Sequence, residues 1–206
     1  MAVVSFKRSL YTSNPDKYIS FLAGNDYYDP GAFVPIANTA GTGSATTITF
    51  SGIPSTYKNL QLRFIGKSTT TSAAVTTFRV TFNSSSSNYA WHRLSGDGAT
   101  ASASGGADAA QIISSAIVPT SNAALASMMS VSIIDIDDYT STSKNKTVRM
   151  FNGSDLNRTT TPVGVVALNS GLWFDTPVAI NSITLTLQSG NWTTSSIFSL
   201  YGIKGT

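Results

Sequence analysis

Polar and apolar residues alternate along most of this chain, and the clearest case lies near its end. Ile183, Leu185 and Leu187 alternate with Thr184, Thr186 and Gln188, the period of two that gives a strand one dry face and one wet face. Ser189-Gly190-Asn191 supplies residues that tolerate a tight reversal, and a second apolar run follows from Ile197 to Ile203. Together they predict a β-hairpin. The same alternation recurs upstream. Leu60, Leu62 and Phe64 interleave with Gln61 and Arg63, and Phe78, Val80 and Phe82 with Arg79 and Thr81. Ala45–Phe50, Gln111–Val118, Met128–Ile136, Lys146–Phe151 and Val163–Trp173 complete a set of about eight to ten short strands bounded by turn signals. The serine run after Asn83 reads as a flexible loop, and Ala99–Ala110, rich in Ala, Ser and Gly, as a surface loop. Such spacing without a convincing long helix predicts an all-β fold, a jelly-roll-like antiparallel β-sandwich over residues 45–206.

Residues 1–44 follow a different pattern. Asn14-Pro15-Asp16 has the form of a helix start, with a capping Asn, a Pro in the first turn and an acid at the positive end of the dipole. Gly24 would end that short helix, Asn25–Gly31 is turn-rich, and Ala32–Gly43 shows no sustained period. Yet Phe6, Tyr11, Tyr18, Phe21, Leu22, Tyr27, Tyr28 and Phe33 make the segment rich in large apolar groups, which seek a surface to cover. The segment is expected to act as a docking arm, gripping a neighbouring subunit or folding back on its own sandwich.

Composition sharpens this picture. The chain of 206 residues is 41% hydrophobic but only 11% charged, against a typical charged share of about 25%. Ser, Thr and Asn supply the missing polarity. They suit a turn-rich β surface, but a low charge density also removes a defence against association of strand edges. Burial of that surface in an assembly is therefore expected. The net charge of +3 comes from scattered residues, with Lys7-Arg8 and Lys144–Lys146 the close groupings. This lacks the concentrated basic face, interleaved with aromatics, of a nucleic-acid binder. With no cysteine, neither disulfides nor thiolate metal sites can form. No run has the length of a membrane span, and the first residues lack the apolar core of a signal peptide. Synthesis in a cytoplasm is the expectation.

Catalytic patterns are sparse. His92 is the single histidine, no G-x-S-x-G elbow is present, and His92 is expected to pack beside Trp91 and bond a neighbour. Asp135, Asp137 and Asp138 form the densest acidic group. Asp135 and Asp137 would share a strand face, which suits calcium, but the spaced acids and glycine of a calcium loop are missing. A strand end turning into solvent is the plainer reading. Neither a metal nor another cofactor is expected. Trp91, Trp173 and Trp192 could pack in the core or stack on sugar. Trp192, in a predicted turn, is the exposed candidate, with Asp97 as a hydrogen-bonding companion on a nearby loop.

Several segments taken in order resemble a family of tailed-bacteriophage virion structural proteins of the cyanophage and marine-phage type. They are Val34-Pro35-Ile36-Ala37, Ile48–Phe64, Asn88–Gly98, Ser132–Arg149, Gly171–Trp173, Ala179–Leu185 and Ser199–Gly205. The resemblance implies a non-enzymatic virion component: a tail fibre or appendage, a baseplate-associated subunit, or a capsid decoration protein. It also implies a homo-oligomer, with a trimer favoured, and other virion proteins as partners. A carbohydrate-binding module reading the host surface through Trp192 and Asp97 is the alternative, and the two roles coexist in a fibre tip. None of the resembling motifs is catalytic.

Overall fold

A computed structural model of the chain describes residues 32–113, 118–121, 127–156, 164–175 and 177–204. Alternation builds two antiparallel sheets. The larger has eight strands. Its first four in spatial order are β1 (Phe33–Ala40), β14 (Ile197–Ile203), β3 (Asn59–Gly66) and β10 (Ser130–Ile136). The order continues through β11 (Lys146–Asp155), β12 (Gly164–Trp173), β6 (Tyr89–Gly96) and β7 (Ala101–Ala109). The smaller sheet has four strands, β2 (Thr47–Phe50), β13 (Ile183–Leu187), β5 (Phe78–Phe82) and β8 (Ile112–Ile113). A short pair joins β4 (Val75–Thr76) to β9 (Val118–Pro119). The expected all-β antiparallel sandwich is what forms.

The core is the sum of the alternating positions. Leu60, Leu62 and Phe64 from β3, Ile134 and Ile136 from β10, and Phe198 and Leu200 from β14 meet Phe78, Val80, Phe82, Ile183 and Leu185 of the smaller sheet. Two aromatic groups anchor it. Phe64 lies 5.1 Å from both Phe78 and Phe198, while Tyr89 stacks on Trp173 at 6.0 Å beside Phe82. Such ring pairs add to the burial they bring.

Two expectations need correction. First, Phe33–Ala40 is an edge strand paired with β14, so the compact unit begins at Ala32 and not at residue 45. Its alternation is disguised by Pro35, which an edge strand tolerates, and by a shift in register between Pro35 and Ala37. Second, Ala101–Ala109 is a strand, paired with β6. Its small residues are a fit to neighbours. A Cβ on Gly105 would lie 2.9 Å from the His92 ring, and one on Gly106 2.8 Å from Trp91 Nε1. Ahead of the serine run, the chain is tied down at one residue. Asn83, at φ 49°, donates from Nδ2 to Ala179 O at 2.8 Å and accepts from the amides of Asn181 and Ser182. The helix expected from Asn14 to Gly24 lies outside the described residues.

Candidate functional site

The two outward faces of the sandwich differ in chemistry. On the smaller sheet the outward positions are polar, as alternation demands: Thr47 opposes Thr186, and Thr49 Oγ1 lies 3.1 Å from Thr184 Oγ1. On the larger sheet they are apolar over a broad area. Cross-strand register sets Ile197, Ile65 and Val131 in one row, with Val166 continuing it beyond Gly153. Ile133, Phe151, Leu168 and Leu94 form the adjoining row. All except Ile133 are exposed large hydrophobics, from 39% for Ile65 to 58% for Leu94. A shallow depression of about 290 Å³ lies between Ile65, Val131, Ile133 and Ile197.

Charge is held at the border of this stripe. Arg63 donates from Nε to Gln61 Oε1, and its guanidinium lies 5.1 Å from the Phe33 ring centre and 5.5 Å from that of Tyr201, a cation–π arrangement. Asp135 accepts from Gln61 Nε2 at 2.6 Å and from Arg149 Nη2 at 2.8 Å. Asp138, at the turn beyond, lies between Lys58 and Lys144, and their hydrogen bonds hold its carboxyl down at about 2. The acidic group thus splits, with Asp135 and Asp138 each facing protein cations. Among the described residues no group of three His, Asp or Glu side chains is placed to hold a metal ion.

A second feature is polar. Beside the β6–β7 wing of the larger sheet lies an open cleft of about 530 Å³. Val75, Thr76 and Thr77 form one side with Gln188 and Ser189, and Arg93, Ser95 and Ser102 form the other. Thr77 Oγ1 donates to Gln188 Oε1, and Ser95 Oγ and Ser102 Oγ are 3.0 Å apart. Asp97 closes the rim by accepting the amides of Ala99 and Thr100 at 3.0 and 2.7 Å. Those two backbone hydrogen bonds, Thr100's foremost, lower its carboxyl below the usual range. Arg93 Nε is shielded from solvent and meets no hydrogen-bond partner.

The residues singled out in the sequence are therefore scattered. Trp192 is fully buried, 4.9 Å from Phe198 and 5.7 Å from Phe64, so it offers no platform to a sugar. A loop position predicts exposure only when the loop has room beside the core, and here Gly66 makes that room: a Cβ there would sit 2.8 Å from the Trp192 ring. Asp97 does border a cleft, remote in role from Trp192. Phe33 is on β1, half exposed, against Arg63. His92 is exposed on the outward face while Trp91 packs against the core, because neighbours on a strand point to opposite faces. Phe6, Tyr11, Tyr18, Phe21, Leu22, Tyr27 and Tyr28 lie outside the described residues. Arg93 and the apolar stripe went unread. The stripe had a signal, since β10 and β12 are apolar in both phases, as in VSIIDI and VVAL. Compared with known proteins, the chain matches no family model, no curated protein and no solved structure.

Proposed function

We propose that this chain is a non-enzymatic structural subunit of a tailed-phage virion, a fibre, appendage or baseplate-associated component. It joins copies of itself through the outward face of its eight-stranded sheet and other virion proteins through its N-terminal segment. The observation that supports assembly is the apolar stripe. Its seven exposed side chains offer on the order of 700 Å², close to the ~800 Å² that each partner contributes to a standard interface. Monomers rarely expose so large a patch. Further copies of the chain are the fitting occupants, because an apolar face needs no opposite charge across it and three such faces pack about one threefold axis in the trimer that the resemblance implies. The virion setting rests on the resemblance of residues 34–205 described above.

Sedimentation of the full chain tests the assembly. Oligomers at micromolar concentration, a trimer foremost, are expected, and Val131→Lys with Leu168→Glu should yield folded monomers. A monomeric parent chain, or variants that still associate, would sink the assembly. Mass spectrometry of purified virions tests the setting, and absence of the chain from particles overturns it.

A further inference from the structure

We infer that the cleft beside β6 and β7 is a binding site for a saccharide bearing a single carboxylate. The argument begins with Arg93. Its Nε is shielded from water without a hydrogen-bond partner, and no carboxylate among the described residues forms an ion pair with it. Arg93 is among the residues that line the cleft, and a guanidinium with no carboxylate partner is free to pair with an anion from solvent. Its planar fork matches a carboxylate through two parallel bonds. The cleft that Arg93 helps to line has about 530 Å³ of space, within the range of small-molecule sites.

The surroundings select among anions. Hydroxyls of Thr77, Thr100, Ser95 and Ser102 and the amide of Gln188 line the walls, a set of neutral donors and acceptors suited to the hydroxyls of a sugar. Val75 and Val165 offer apolar contact to its C–H face. No aromatic ring is among the described lining residues, so a nucleobase would find nothing to stack on. Among the described lining residues Arg93 is the single cation, and Asp97 at the rim carries a negative charge. A polyphosphate or heavily sulfated chain would be repelled there, whereas one carboxylate placed at Arg93 would not. The cleft shares no residue with the apolar stripe, so its occupancy and the assembly stand or fall separately.

Titration of the full chain with galacturonic acid, followed by NMR, tests the site, with galactose as the neutral match. Saturable binding of the acid is expected, weaker by about tenfold or more for galactose and by a similar factor in Arg93→Gln, the size of one charged hydrogen bond. Ser102→Phe, on the edge strand, keeps Arg93 but fills the cleft and should abolish binding. It decides the matter if Arg93→Gln fails to fold. No saturable binding of the acid at millimolar concentration, equal affinity for the two sugars, or unchanged binding in both variants would overturn the assignment. So would binding of inorganic phosphate with none of the uronic acid.

Discussion

Trp192 enters the interior from a loop, which is why its role was illegible in sequence. Polarity of the flanking Asn191 and Thr193 marked a turn, and the turn is real. What the flanks could not say is that Gly66, far away in the chain, leaves a cavity for the ring. Trp192→Ala should therefore cost about 3–5 kcal/mol in urea unfolding, the range for deleting a large buried aromatic. A loss under about 1 kcal/mol, the size of an ordinary substitution, would contradict its place in the core. Asp138 makes a different prediction. Its carboxyl is held at about 2, below the ordinary 3.8, by hydrogen bonds from Lys144 and Lys58. A group whose folded value is depressed adds stability above its unfolded value and loses it as pH falls toward the folded one. Between about pH 4 and pH 2 the parent should thus lose stability faster than Asp138→Asn. The pair is exposed, so the difference is modest and should shrink in salt. Identical acid limbs for the two proteins would show that the lysines do not hold the carboxylate.

At the scale of elements, large apolar residues at regular spacing revealed strands, and a strand built of small residues stayed hidden. β3, β5 and β13 were plain because large apolar residues fall on every second position. β7 was hidden because its packing is done by its neighbour. Trp91 and His92 of β6 cover opposite sides of Gly106 and Gly105, and side chains there would collide with them. Composition alone cannot tell such a strand from a loop. Gly106→Val should push the end of β7 away from Trp91, seen as faster amide exchange over 101–109 with the β3–β10 pair unaffected. Unchanged exchange would mean that the glycines are not what lets β7 lie there. Asn83 was also hidden, since its three bonds run to residues 179–182, a segment nearly one hundred positions away.

At the scale of the whole molecule, the two outward faces divide the labour. Threonine dominates the outward face of the small sheet, while the large one carries the apolar stripe bordered by Arg63, Asp135 and Arg149, the surface that the proposed self-association would cover. The same reasoning fixes where the sandwich ends. Residues 32–206 form one compact unit, while β1 supplies the outermost strand and hydrogen-bonds to β14 along its length. Removing residues 1–31 should leave thermal stability within a few degrees of the parent, since every strand of the described sandwich is kept. Removing residues 1–40 is another matter. It strips Pro35 and the register shift, features that make β1 a poor template for further pairing, and bares the backbone groups of β14, which lies directly against the core through Phe198 and Leu200. That protein should melt lower and aggregate by light scattering where the shorter truncation stays dispersed. Equal melting and equal dispersion of the two would show that β1 is dispensable, and with it the placement of the boundary at Ala32.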